Sequence, residues 1–291
     1  MYFGLSEEQQ FFQESINKFL EDNVTVDALK AYRTGENKDL TKTVYNGLNE
    51  LGLSSLIVPE VLGGLGLDSL FAISVSESLG KGVAPYPFIG SFLIAPFLIN
   101  QLGNESQKEK YLPGIATGEN RFGVALSEIT GRRIDSSIEY SKQRLNGSSL
   151  FVMDDIECTH YLIVDSDAGV HIIDASNVNL ERIELKTVDV TSFVSELIFN
   201  GIETEVLNND SDNIEIVNQA IDLGRIALAA NTLGAAQSML DQSIEYAKER
   251  KQFGRQIGSF QAVKHMCAQM ASDLEPCYSL VWYAAHAMDH I

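Results

Sequence analysis

The sequence predicts an α+β chain in which helical segments flank a β-rich middle. Three observations carry this. Apolar residues recur at helical spacing through roughly the first 120 residues, the pattern turns to period two from Phe122 to about Leu207, and two long amphipathic stretches follow. Segments 1–120, 121–208 and 209–291 are therefore expected to be an all-helical domain, a β domain and a second helical domain. A length of 291 residues has room for two or three domains.

Each element has a local reason. Ser6 followed by Gln9 is a capping box, and Phe11, Phe12, Ile16, Phe19 and Leu20 then recur at helical spacing. A second helix is expected around Lys42 to Leu51, stopped by Gly52. Pro59 to Leu67 is a glycine-punctuated loop, followed by apolar helices at Ser69–Gly80 and Ser91–Leu102. A short helix from Gln107 to Leu112 is closed by Pro113. Phe122–Leu126, Leu150–Met153, Tyr161–Val164 and Val170–Ile173 read as strands, with Asn146-Gly147 as a hairpin turn. A polar spacer, Asn208 to Asn213, precedes a helix over Ile214–Lys251 that would be about 55 Å long. Phe260, Val263, Cys267, Met270, Leu274, Cys277 and Val281 mark a second amphipathic helix, with a kink expected at Pro276. Two such helices bury one another incompletely and call for partners.

Composition narrows the function. Lys and Arg number 21 against 40 Asp and Glu, so the formal charge is −19, which disfavours nucleic acid and anionic membranes as partners. No stretch approaches the ~20 apolar residues of a membrane span; Phe88 to Ile99 is the most apolar and is interrupted by Gly90 and Pro96. Three scattered cysteines, Cys158, Cys267 and Cys277, form no CxxC pair, so neither a disulfide framework nor a metal site is expected. A reduced, cytoplasmic setting is expected, and the N-terminus carries no signal-peptide pattern.

The candidate chemistry is concentrated in one place. Gly63-Gly64-x-Gly66 reads either as a tight turn or, less well, as a phosphate cradle, since no strand precedes it. Residues 246–261, YAKERKQFGRQIGSFQ, are denser. A helix end carrying Arg250 meets a glycine-bounded turn with Phe253, Gln252 and Gln261. Such a set can hold a pyrophosphate and cover a planar ring, because a guanidinium forks onto phosphate oxygens and a phenyl offers an apolar face. A charged helix terminus with a hydrophobic staple is the alternative.

This stretch closely resembles the hallmark of the acyl-CoA dehydrogenase family, a basic-Arg-x-Gln-Phe-Gly segment leading to Phe-Gln at the next helix. Further matches stand in family order: Ser6-Glu7-Glu8-Gln9, Pro59-Glu60 with Gly63-Gly64-x-Gly66, Gln107-Lys108 to Tyr111-Leu112-Pro113 with Thr117-Gly118-Glu119, Leu126-Ser127-Glu128, and Arg225. The resemblance spans the whole chain. It implies a β-barrel or sandwich in the middle, a C-terminal helical bundle of which two long helices are present, and FAD-dependent α,β-dehydrogenation of an acyl-CoA thioester. Arg250, Gln252, Phe253 and Gln261 map onto residues that grip the FAD of a neighbouring subunit, Ser127 onto a position beside the flavin, and Arg225 onto one near the CoA-bound substrate. The resemblance also implies a homo- or hetero-oligomer and an electron-transfer flavoprotein, or a similar carrier, as acceptor.

The chain departs from the family at three points. The loop that usually reads Pro-x-Ala-Gly-Ser-Asp is Ile129-Thr130-Gly131-Arg132-Arg133-Ile134-Asp135 here. Arg132 and Arg133 are either phosphate partners or part of a remodelled surface loop. The strand usually written Trp-x-Thr or Trp-x-Ser is Phe151-Val152-Met153, which lacks a hydroxyl for the flavin. No catalytic base is assignable: the position before Arg225 that holds a glutamate in some relatives is Gly224, and the sequence ends at Ile291, before the segment that holds it in most. Two expectations follow. The chain is a dehydrogenase whose last helices lie outside this sequence, or it is a non-catalytic subunit completing a neighbour's FAD site. Relatives that degrade steroids and other bulky acyl groups pair unlike subunits in this way.

Overall fold

The computed structural model describes residues 5–131, 137–207 and 213–290. Arg132, Arg133, Ile134 and Asp135, and residues 208–212 of the polar spacer, lie outside the described residues. The chain falls into two compact units, one built from residues 26–68 and 85–224, the other from residues 1–25, 69–84 and 225–291.

The first unit holds the β structure. β1 (Phe122–Ala125), β2 (Ile138–Ser141), β3 (Arg144–Met153), β4 (His160–Val164), β5 (Val170–Asp174), β6 (Leu180–Glu184), β7 (Val194–Glu203) and β8 (Glu205–Leu207) join one curled sheet in the order β6-β7-β3-β1-β4-β5-β8, with β2 on β3. β1 and β4 are parallel, and the other pairs are antiparallel. Alternate side chains of β3, β4 and β7, including Val152, Ile163, Leu197 and Phe199, meet in one core. The middle of the chain is thus β, as its period predicts.

The hairpin turn is not at Asn146-Gly147. It falls at Lys142-Gln143, where φ is +51° and +62°, the two positive values of a type I′ turn. Gly147 lies inside β3, where the Ser137 carbonyl oxygen occupies the place of a Cβ, 1.8 Å from its ideal position. The glycine serves close backbone approach, and no composition signal marks the true turn.

Helices of the same unit cover this sheet. α2 (Val26–Thr34) is an element the spacing did not predict, and α3 (Leu40–Glu50) stops before Gly52, whose φ is +92°. Residues 59–67 form a turn. The N–H groups of Leu65, Gly66 and Leu67 bond to the carbonyls of Ser55, Val58 and Leu56, so they are spent within the fold rather than left for a phosphate. The predicted 91–102 helix is a π-helical turn over Ile89–Ile94 followed by α5 (Ala95–Leu102). α6 (Glu105–Ala116) begins with an Asn104–Gln107 capping box and runs through Pro113 instead of ending there. α7 (Ser127–Thr130) is a single turn after β1.

The second unit is helical. α1 (Glu7–Asn23) begins with the predicted Ser6–Gln9 capping box, and it buries Ile16 and Leu20 while Phe11 stays exposed. α4 (Ser69–Lys81) is capped from afar: both oxygens of Asp289 accept from Ser69, one from its N–H at 2.8 Å and the other from its hydroxyl at 2.7 Å. α8 (Asn213–Glu249) is the long helix of 37 residues, whose residues 225–249 belong here. α4 and α8 cross at glycines. A Cβ on Gly234 would lie 1.9 Å from the Glu77 carbonyl oxygen, and one on Gly80 would lie 1.8 Å from that of Asn231. α9 (Gln261–His290) is continuous through Pro276, which withholds one N–H from the ladder. Ala285 is its one fully buried residue among those described, and Met266, Leu280 and Tyr283 are exposed. Among the described residues no helix is long and apolar enough to cross a membrane.

Candidate functional site

In the helical unit, α8 ends in a small hairpin. β9 (Lys251–Gln252) and β10 (Arg255–Gln256) pair antiparallel around Phe253-Gly254, and a 3-10 turn at Ile257–Ser259 leads into α9. Phe253 and Gly254 have φ of +53° and +77°, which makes the tip a type I′ turn. Glycine accepts that conformation at no steric cost, whereas for a phenylalanine it is strained. Phe253 is nevertheless 93% exposed, so burial of its ring within this chain does not explain the residue. Its ring meets Phe260 edge-on at 6.2 Å, and the Arg255 guanidinium lies 4.1 Å from the Phe260 centroid. The Ile257 N–H closes the loop onto the Arg250 carbonyl at 2.8 Å.

Arg250 is exposed, and its guanidinium has no hydrogen-bond or ion-pair partner among the described residues. The Gln252 carboxamide donates to the carbonyl of Lys251, and the Gln261 carboxamide faces His265 at 3.4 Å. The hairpin therefore brings together the predicted Arg250, Gln252, Phe253 and Gln261 on exposed backbone, with donors turned to solvent. This set fits a dinucleotide: a fork for phosphate oxygens, two carboxamides for a purine or ribose, and an apolar face for a ring.

In the β unit, Ser127 opens α7 and is buried, and its hydroxyl lies 2.7 Å from that of Ser149 on β3. One hydroxyl of the pair donates to the other, which leaves a single proton for any further acceptor. Phe151, at φ +58°, is 63% exposed, while Val152 between it and Met153 is fully buried. Gly224 packs on the π-helical turn, where an added Cβ would lie 2.8 Å from Ile94 Cδ1. A side chain there would require the end of Ile94 to shift. Arg225, the next residue on α8, is exposed and makes a contact of its own.

Sequence reasoning missed Asp154. Its carboxylate accepts the N–H groups of Gly90 at 2.5 Å and Ser91 at 3.1 Å, which caps the π-helical turn from the end of β3. Burial pushes its pKa up to about 6, against the pull of those two donors. The only sequence signal is an Asp-Asp pair directly after a strand. A carboxyl whose pKa rises on folding holds its proton longer in the native state, so it favours the native state at low pH. That stability falls as pH climbs from about 4 to about 6. Asp154→Asn keeps an acceptor and removes the ionisation, so it is expected to stabilise the chain at pH 8 by about 1–3 kcal/mol and to flatten that slope. Urea midpoints at pH 5 and pH 8 check this, and equal shifts at both pH values count against it.

Comparisons with known proteins identify the family. The family model described as "Acyl-CoA dehydrogenase, N-terminal domain" matches residues 6–119, and "Acyl-CoA dehydrogenase, C-terminal domain" matches residues 214–291. An acyl-CoA dehydrogenase of Bacillus subtilis is 32% identical over 80% of this chain and 67% of its own length. The caffeyl-CoA reductase–Etf complex subunit CarC of Acetobacterium woodii is 29% identical, covering the whole chain and 81% of the relative. Among solved structures, a glutaryl-coenzyme A dehydrogenase in complex with glutaryl-CoA superposes with a TM-score of 0.86 at 26% identity, over 99% of this chain and 78% of that one. The Tcur3481–Tcur3483 steroid ACAD gives 0.82 at 27%, over 98% and 79%. The chain belongs to the acyl-CoA dehydrogenase family of FAD-dependent flavoproteins.

Proposed function

We propose that this chain serves the FAD-dependent α,β-dehydrogenation of an acyl-CoA thioester, with its 250–261 hairpin holding the dinucleotide. The observation that carries this is the strained, solvent-facing Phe253 on the same hairpin as Arg250, whose guanidinium has no partner among the described residues. When bound, FAD takes up the β-hydrogen of the acyl group as hydride. Arg250 forks onto the pyrophosphate, Gln252 and Gln261 bond the nucleoside portion, and Phe253 covers a ring. With Ser149 donating to it, Ser127 would turn its own hydroxyl proton to the flavin rim, and Arg225 meets the CoA portion of the substrate. The electron acceptor is an electron-transfer flavoprotein or a similar carrier, and the free thiols suit a cytoplasmic setting.

A second reading, that of a non-catalytic subunit completing a neighbour's FAD site, is favoured by Gly224. Glycine abstracts no proton, and a Cβ in its place would press on the end of the Ile94 side chain. The exposed Leu228, Met239 and Tyr246 of α8, with Met266, Leu280 and Tyr283 of α9, give another polypeptide an apolar face to cover. Both readings make the chain part of an oligomer.

Flavin content and turnover test the proposal. The purified chain alone is expected to carry little flavin and to show negligible dehydrogenation of acyl-CoA with a dye acceptor. Co-purified with a related subunit that contributes a glutamate base, it is expected to be yellow and active. A stoichiometrically flavinated, active preparation of this polypeptide alone overturns the second reading. A flavinated assembly that no acyl-CoA reduces overturns the first.

A further inference from the structure

The open end of the curled sheet in the β unit holds a cavity of about 820 Å³ that no step of the proposed dehydrogenation uses. Its floor is a buried polar knot. Asp155, 3% exposed, accepts from the Tyr161 hydroxyl at 2.7 Å and from Arg182 Nε at 2.5 Å, and its own carbonyl accepts from one Arg182 Nη at 2.9 Å. Arg182 is thereby fixed by two of its three nitrogens, with 42% of its side chain still exposed. The other Nη is left for something outside the knot.

The charges around this floor are unequally paired. Of the carboxylates that line the cavity, Asp155 is taken by Arg182, Glu157 by Arg121 at 2.5 Å, and Asp189 by the hydroxyls of Thr191 and Ser192 in its own turn. Glu184 remains. The lining cations Arg33 and Lys186 have no hydrogen-bond or ion-pair partner among the described residues. With Asp155 and Glu157 paired to arginines, the free Arg33 and Lys186 balance the remaining charges of Glu184 and Asp189, so in a chain of net charge −19 the lining is locally near neutral. Tyr32 and Phe193, both half-buried, add aromatic walls.

A pre-oriented guanidinium, two free cations and aromatic sides at the mouth of a curled sheet form the kind of concave, mostly prebuilt site that binds small ligands. The geometry points to a second ligand site here, for an organic phosphate with an aromatic body, of which a nucleoside monophosphate is the simplest form. Arg182 and Arg33 hold the phosphate, Lys186 adds charge, and Tyr32 and Phe193 flank the ring. The site lies in the β unit and shares no residue with the 250–261 hairpin, so it does not depend on the assignment of that hairpin.

Calorimetric titration of the full chain, or of its assembly, with AMP tests this, with inorganic phosphate and benzoate as separate arms. Saturable AMP binding is expected, with phosphate weaker and benzoate weaker still. Arg33→Ala combined with Lys186→Ala changes only exposed side chains and is expected to weaken AMP binding at least tenfold. Arg182→Lys, which keeps the charge and loses the fork, is expected to do the same. Arg250→Ala is expected to leave it unchanged, which separates this site from the hairpin. No saturable AMP binding up to several millimolar by a folded chain overturns the inference. So does AMP binding that the Arg33/Lys186 double variant retains, or that Arg250→Ala abolishes. Benzoate binding tighter than AMP overturns the phosphate assignment.

Discussion

Gly234→Ala is expected to destabilise the helical unit by about 3 kcal/mol or more, lowering the melting temperature by about 6–12 °C. Helix propensity alone argues the opposite sign, since alanine in place of glycine within an α-helix gains about 1 kcal/mol. Packing decides the outcome. The new Cβ would stand 1.9 Å from the Glu77 carbonyl oxygen, an atom of the facing helix backbone that no rotamer change can move. α4 and α8 must separate, and their apolar contacts open along the crossing. Thr232→Ala, an exposed change on the same helix, is the control and is expected within about 0.5 kcal/mol of the parent. A thermal melt in which Gly234→Ala matches or exceeds the parent refutes the argument.

Arg250→Ala is expected to weaken FAD retention by the assembly about tenfold to a hundredfold, the loss of a charge-assisted contact of about 1.5–3 kcal/mol. The side chain is exposed and has no partner among the described residues, so the melting temperature of the chain should stay put while flavin content after gel filtration falls. Arg250→Lys keeps the charge and loses the fork, and it is expected to fall between the two. Unchanged flavin affinity in Arg250→Ala removes the hairpin from the cofactor's contacts.

Where local chemistry and tertiary demand agreed, the sequence was legible. The Ser6–Gln9 box, the long α8 and the period-two middle each follow from spacing alone, because the cap, the helical face and the pleat are written within a few residues. The turn at Lys142-Gln143 was not legible. Neither residue is a turn former, and their positive φ values are imposed by the strands they join. Gly147 misled for the converse reason: its glycine answers to the Ser137 carbonyl across the sheet, a partner that a local window does not contain. α6 running through Pro113 is a third case, in which the surrounding structure holds a helix that local sequence would end.

The candidate site divides in the same way. Arg250, Gln252, Phe253 and Gln261 lie close together in the chain, so one short window held most of the hairpin's chemistry. The strain at Phe253 became visible only with the backbone, and it turned a motif into a physical oddity in need of a reason. Asp154 was hidden because its partners, Gly90 and Ser91, lie more than 60 residues earlier. The Asp155–Tyr161–Arg182 knot was hidden too, because an acid, a phenol and a cation spread over 28 positions carry no pattern until the sheet curls.

The seating of Gly224 against Ile94 bears on how a base could be installed in this scaffold. A Cβ at position 224 would meet only side-chain carbons, the nearest being Ile94 Cδ1 at 2.8 Å, the free end of a flexible chain. The newcomer therefore asks one isoleucine to turn aside and leaves the backbone where it is. Protein engineers who wish to place a carboxylate here can begin with a single substitution, and a shorter residue at position 94 is the natural second step where more room is wanted.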